Sequence, residues 1–469
     1  MKVALSLFTI GLASILPLHA SFPESPLADL VLGAVDFDTT GGATADAENI
    51  DYPAGVAVDP VSGKLFVSSY SQHRILRYAN VEALASGAAA EAVIGQSSFT
   101  GSGSGTTRST LNTPLGICLD SQGRLWVAEV NNHRVLMFED AANLANGADA
   151  SLVIGQSDFV SNGPGGGMGQ FQHPSAVFID AADNLWVCDY LNHRVLKFPN
   201  ASTLTNGASA TVEIGGYGTS ASGLYHPIGV LVDAGDRLWI VEQTNNRVVR
   251  FENAGQLTTG ASASGVLGQP GFTNGSQNGG ATGMRVPSGL AMDAEGTLWV
   301  ADHWNNRILG FRDAATKENG AAADQVIGQP DFNSASAGTS AGGFNRPLGL
   351  AFDDSGRLWV ADADNDRVLR FSPEPSPPDL TGPALTVATK IPRTTTKSRL
   401  RLSGSAQDPA GVAAVRYRIG KGAFRNATGT TSWTFVAPLG KGKNTIQITA
   451  GDTLGNTSAA KTLRVTRKR

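Results

Sequence analysis

The sequence predicts an all-β chain: a six-bladed β-propeller sealed by its own N-terminal strand, followed by a β-sandwich. Three observations predict it. First, the phrase LWVADHWNNRILGF at Leu298–Phe311 recurs closely at Leu125–Phe138, Leu185–Phe198, Leu238–Phe251 and Leu358–Phe371, and more weakly at Leu65–Tyr78. Second, each copy follows an apolar segment opening on proline. The prolines stand at 53, 114, 174, 227, 287 and 347, at intervals of 61, 60, 53, 60 and 60. Third, glycine is abundant, 56 of 469 residues, which favours many turns and short strands over long helices. A self-similar period of this size marks a repeat fold whose units bury their faces against one another.

The N-terminus, MKVALSLFTIGLASILPLHA, carries Lys2, an apolar run and a small residue at its end. It has the form of a secretory leader, residues 1–20, with cleavage after Ala20. The run is short for a span of about 20 apolar residues, and no later stretch is apolar enough to cross a bilayer. The expected location is therefore secreted, periplasmic or cell-surface associated.

Each repeat reads as four strands. The first is apolar (Gly55–Val58 and equivalents), the second is LWVAD-like, the third RVLRF-like and the fourth VIGQ-like, as at Val153–Gln156. Turns of Asp, Gly, Asn and Ser separate them. The first two strands are apolar on both faces, as expected of sheets covered on both sides. Radially stacked four-stranded units make a propeller. The sixth repeat stops at Phe371 without a fourth strand. The missing strand stands at the other end, where Asp29–Phe37 matches Ser151–Phe159. It should complete blade six and leave fewer ragged edges. The propeller is thus expected over residues 28–372.

With these residues in view, NNHRVLMF and LNHRVLKF, each preceded by an LWV phrase, resemble NHL repeats over Asp29–Phe371. The resemblance implies a six-bladed propeller. It also brings in propeller enzymes, the calcium-dependent lactonases and amidating lyases, which place histidines, an arginine and a tyrosine at the channel mouth.

A Pro-rich spacer covers residues 373–382. Residues 383–469 alternate apolar and polar in short runs, as in an antiparallel sandwich, and resemble bacterial immunoglobulin-like modules. This segment holds 16 Lys+Arg against two acids, +14, so residues 1–382 carry −18 of the chain's net −4. A basic module following an acidic one suits a spacer or a tether to an anionic cell surface. Nucleic acid is not an expected partner, because no reader motif is present. Cys118 and Cys188 read as buried apolar side chains, although export permits a disulfide.

Repeats provide an internal control. The arginines at 74, 134, 194, 247, 307 and 367 and the acids at 59, 120, 180, 233, 293 and 353 recur once per blade and read as structural. The recurring tryptophans read as packing between blades. Positions that differ between blades are the candidates for function. Those before the repeat proline are Tyr52, Thr113, His173, His226, Val286 and Arg346, and they should ring one mouth of the channel. The turn residues Tyr70, Tyr190, His303, Trp304 and Asp364 should join them. The expected ligand-binding set is Tyr52, His173, His226, Arg346, Tyr190, His303 and Trp304, for a carbohydrate or protein ligand. His173 and His226 are the candidate metal ligands, for calcium or zinc, although two histidines do not close a zinc site. Gly338–Gly342 fits G-x-S-x-G but lies in a Ser/Gly-rich loop rather than a strand-to-helix elbow. The function expected is a ligand-binding or interaction scaffold; the alternative is a metal-dependent lactonase or lyase using the same mouth.

Overall fold

The computed structural model describes residues 22–374, 382–408, 411–453 and 455–468. The expected leader, and the spacer from 375 to 381, lie outside the described residues. The chain divides into two compact units, one of them Phe22–Glu374 and the other holding the described residues from 382 onward. Among the described residues there is no α-helix, only single turns of 3-10 helix, and no helix long and apolar enough to cross a membrane.

Phe22–Glu374 contains six four-stranded antiparallel sheets. Blade one is Pro53–Val58, Lys64–Ser69, Arg74–Asn80 and Ala92–Ile94. Blades two to five repeat that order, with inner strands Pro114–Leu119, Pro174–Ile179, Pro227–Val232 and Leu290–Met292. Blade six has Pro347–Phe352, Leu358–Asp362 and Arg367–Phe371, and its outer strand is Leu30–Leu32. The register is Leu30 to Arg370, Val31 to Leu369 and Leu32 to Val368. The N-terminal strand therefore seals the ring. Leu30, Val31 and Leu32 are fully buried there, at about 1.5–3 kcal/mol of apolar burial each.

The core lies between blades rather than within them. Each of six apolar clusters spans two neighbouring blades. Trp126, Trp186, Trp239, Trp299 and Trp359 each pack into the cluster shared with the next blade, and Phe66 does so in blade one. Each indole also donates to a repeat aspartate, for example Trp186 Nε1 to Asp180 at 2.8 Å and Trp359 Nε1 to Asp353 at 2.8 Å. The same carboxylates accept backbone N–H groups of the hairpin turn, as Asp293 does from Thr297. One residue thus fixes both a turn and an interface.

The repeat arginines form a second device. Each but the first pairs with the acid that ends strand two of its blade, at 2.5–2.8 Å for Arg194–Asp189, Arg247–Glu242, Arg307–Asp302 and Arg367–Asp362, with Arg134–Glu129 alike. The Nη2 group of each donates to carbonyls of the loop that leads into the blade, while Nη1 also reaches a phenylalanine carbonyl beyond strand four in four of the blades and the Glu213 carboxylate in blade three. Blade one has Ser69 in place of the acid, and Arg74 is held by the Asn49 and Phe99 carbonyls.

Inner strands approach so closely that five blades need glycine there. A Cβ on Gly289 would lie 2.2 Å from the Leu348 carbonyl oxygen, and one on Gly349 would lie 2.4 Å from that of Ala54. The second unit has two sheets sharing one core. Leu402, Trp433 and Ala437 come from a three-stranded sheet, and Val415, Ile446 and Val465 from a five-stranded one. Tyr417 stacks on Phe435 across them, with centroids 3.8 Å apart. Cys118 and Cys188 are both free thiols, and burial pushes both up from the ordinary thiol range.

Candidate functional site

The site grows from the residue before each repeat proline. Tyr52, Thr113, His173, His226, Val286 and Arg346 all have left-handed backbone, with φ from 50° to 57°. That region costs an L-residue roughly 1–2 kcal/mol, more awkwardly for β-branched Thr and Val. The neighbouring blade holds it in place. The backbone N–H of each pre-proline residue donates to one side chain of the preceding blade. Thr113 N reaches His73 Nδ1 at 3.0 Å, His173 N reaches His133 Nδ1 at 3.1 Å, and His226 N reaches His193 Nδ1 at 3.4 Å. Val286 N and Arg346 N reach Asn246 and Asn306 Oδ1 at 2.7 and 2.8 Å. Tyr52 N reaches Asp366 Oδ1 at 2.8 Å and so completes the circle. Six side chains thereby clasp six seams around one mouth.

Inside this ring lies a cavity of about 410 Å³, within the roughly 300–1,000 Å³ usual for small-ligand sites. Its walls come from the turns after strand two: Tyr70, Val130, Tyr190, Gln243 and His303, one from each of five blades. Tyr52 and His173 join from the pre-proline ring. The floor is set by the position after each proline, which alternates in size around the ring: Ala54, Leu115, Ser175, Ile228, Ser288, Leu348. Leu115, Ile228 and Leu348, from alternate blades, line both this cavity and the channel of about 590 Å³ that runs through the inner strands. They form an aliphatic septum between the two.

The walls are uncharged. Among the described residues, no Asp, Glu, Lys or Arg lines the mouth cavity. Burial pushes the phenols of Tyr52, Tyr70 and Tyr190 up, assisted at Tyr52 by Asp364 and at Tyr190 by Tyr225. Burial lowers His173 and His303. All five are therefore neutral near pH 7. His303 Nδ1 lies 3.1 Å from the Pro347 carbonyl, so Nδ1 carries the proton and Nε2 is left as an acceptor. The Tyr190 hydroxyl donates to Gln243 Oε1 at 2.6 Å, which leaves the Gln243 amide N–H groups free to donate.

Of the residues singled out by sequence, Tyr52, His173, Tyr190 and His303 line the cavity, and His226, Arg346 and Trp304 do not. The His226 ring stacks against Tyr190 with centroids 4.3 Å apart, and its Nδ1 lies 2.7 Å from Thr244 Oγ1. Burial and His193 lower it to about 4. Arg346 is drawn to the rim by Asp364 at 3.2 Å and lies over Trp304, which Arg285 flanks on its own account at 5.0 Å. Gln243 and the aliphatic septum escaped the sequence reading. The small–large alternation after the prolines was the available signal for the septum.

Of the two candidate metal ligands, only His173 faces the cavity. Among the described residues, no group of three or more His, Cys, Asp or Glu is placed to hold a metal ion. The donor set matches neither a zinc site nor the oxygen cage of calcium.

The family described as NHL repeat matches residues 111–138, 284–311 and 344–371. These are the end of the loop and first three strands of blades two, five and six. A curated relative, Protein SUPPRESSOR OF QUENCHING 1, chloroplastic, of Arabidopsis thaliana, is 22% identical over 231 residues, 47% of this chain and 21% of that protein. The chain thus matches about a fifth of that relative's length. Similar solved structures include virginiamycin B lyase from Staphylococcus aureus with Quinupristin, at 16% identity, covering 71% of this chain and 83% of that one, with a TM-score of 0.41. A gluconolactonase from Xanthomonas campestris has 14% identity, covering 75% and 99%, with a TM-score of 0.42. A protein of unknown function from Bacteroides thetaiotaomicron has 15% identity, covering 73% and 75%, with a TM-score of 0.47.

Proposed function

We propose that this chain, a propeller that carries NHL repeats, is an exported binding protein whose mouth holds a neutral, polyhydroxylated ligand of the saccharide class. One observation carries the reading: the mouth collects tyrosines, neutral histidines and an amide over an aliphatic floor, with no charged side chain among its described lining residues. Aromatic faces suit the C–H faces of a sugar ring. The alternating acceptors (His303 Nε2) and donors (the Gln243 amide, the Tyr52 and Tyr70 hydroxyls) suit sugar hydroxyls, which both give and accept hydrogen bonds. The rigid ring pre-organises these groups, which lowers the entropic cost of binding. In this reading the leader 1–20 exports the protein, and the basic unit 383–469 spaces or tethers it at an anionic surface.

The test is a neutral-glycan array followed by calorimetry on the best ligand. His303→Ala should abolish binding. Tyr190→Phe, which strips Gln243 Oε1 of its donor, should weaken it by about fivefold. Binding unchanged in both variants sinks the proposal.

A second reading, a lactonase- or lyase-type enzyme, is favoured by one observation. His303, held in the tautomer that leaves Nε2 basic, is equipped as a general base at the cavity wall. Turnover of a lactone or ester panel that disappears in His303→Ala would support it.

A further inference from the structure

The ring is shortened at one seam. In blades one, two, four and five, the chain from the end of the fourth strand to the next repeat proline is of constant length: Ile94 to Pro114, Ile154 to Pro174, Leu267 to Pro287 and Ile327 to Pro347, 20 positions each. Between blades three and four, counted from Ile214, which holds the register position of Ile154, it runs to Pro227, only 13. The constant loops are pinned by a glutamine. Gln96, Gln156, Gln269 and Gln329 each donate to a carbonyl of their own blade and to one of the loop, as Gln156 does to His133 and Gly163. At the short seam Gly216 replaces that glutamine, and the loop is a tight turn in which Tyr217 bridges to Leu224.

Two tyrosines without counterpart in any other blade stand in this shortened loop. Tyr217 occupies the position of Ser97, Ser157, Pro270 and Pro330, and Tyr225 that of Asn112, Gln172, Arg285 and Asn345. Tyr217 is 72% exposed, among the most exposed large side chains described. The rings form an unbroken path outward from the mouth. Tyr190, which lines the cavity, stacks on His226 at 4.3 Å; His226 meets Tyr225 at 4.5 Å; Tyr225 meets Tyr217 at 4.8 Å. His193 packs beneath, at 5.1 Å from Tyr225 and 5.2 Å from Tyr217.

We infer that this notch is an extended subsite, over which a linear neutral oligosaccharide leaves the mouth and lies along Tyr225 and Tyr217. The inference rests on the saccharide reading of the mouth and deepens it from a single sugar to a chain. Tyrosine offers rigid, amphipathic contact area with a hydroxyl at its edge, and loses little entropy in doing so. A missing stretch of wall and two added aromatics at the same seam have one economical explanation: something elongated passes there.

The experiment is calorimetry with linear glucose, mannose, galactose, xylose and N-acetylglucosamine oligomers, from monomers to hexamers, on the full chain. For the wild type, affinity should rise about tenfold with chain length beyond the monomer. In the double variant Tyr217→Ala/Tyr225→Ala that rise should vanish while monomer affinity stays. In Tyr217→Phe, which keeps the ring, most of the rise should persist. Thermal unfolding of each variant checks its fold. A length dependence absent from the wild type, or intact in the double variant, overturns the extended subsite and leaves the mouth reading standing. Absence of binding by every sugar overturns both. Extended peptides bound through Tyr217 in place of sugars would assign the notch to a protein partner and also overturn the inference.

Discussion

Val286 shows what the mouth costs in backbone strain. It is a β-branched residue in the left-handed region, before a proline, with φ 51°, a combination that sterics disfavour twice. Asparagine tolerates this conformation, so Val286→Asn should raise stability by roughly 1 kcal/mol, read as a higher Tm in thermal unfolding. An unchanged or lower Tm would show that the seam compensates the strain fully. The clasps that hold these residues also predict an acid response. His73, His133 and His193 accept hydrogen bonds at Nδ1 and so must be neutral, and burial lowers each below its ordinary value of 6.5. A lowered folded-state value means that the unfolded chain binds protons first. The stabilisation is complete above the unfolded value and is lost as the pH falls through the folded one. Thermal stability should therefore drop on acidification below about pH 6.5. His133→Asn, copying the clasp made by Asn246 and Asn306, should remove part of that drop in scanning calorimetry across pH. Residues that vary between blades were legible in the sequence as candidates. Where their side chains point was not: His226 lies flat against Tyr190 and Arg346 is pulled outward by Asp364, tertiary contacts that no repeat position announces.

At the scale of the element, the hairpin of strands two and three is the best-determined unit, because several devices converge on it. The indole–aspartate bond fixes one turn, and the arginine–acid pair fixes the other end. The pairs are fully buried, and burial holds Glu129 up at about 7 and Asp362 at about 6 in spite of their arginines. Such a pair adds little net stability over an apolar replacement, but breaking it strands a buried charge. Glu242→Ala, leaving Arg247 alone, should cost about 3–5 kcal/mol, read by urea unfolding. A loss below about 1 kcal/mol would show that the loop carbonyls around Arg247 suffice. The sequence marked these arginines and acids as scaffold by their recurrence. Their partners were less plain, since the arginine's acid ends strand two and the recurring acid after strand one serves the turn and the indole instead.

At the scale of the molecule, the ring is closed by three independent links: the Leu30–Leu32 strand, the Asp366–Tyr52 clasp and the approach of Gly349 to Ala54. Removal of residues 1–33 should expose the edge of Arg367–Phe371 and cost roughly 5 kcal/mol or more from the three buried aliphatics. Hydrogen exchange should show that strand losing protection first, and uniform loss across all blades would contradict the closure. This closure was legible because the displaced strand keeps the repeat's own pattern. The neutrality of the mouth was not, because it depends on which turns face the axis and on burial shifting tyrosine and histidine the same way relative to neutral pH. The most direct measurement of the central claim is the salt dependence of glycan affinity at pH 7. An uncharged mouth binding an uncharged ligand predicts the same dissociation constant at low and high salt, and no binding in His303→Ala. Affinity that falls steeply with salt, or binding confined to anionic glycans, would contradict it.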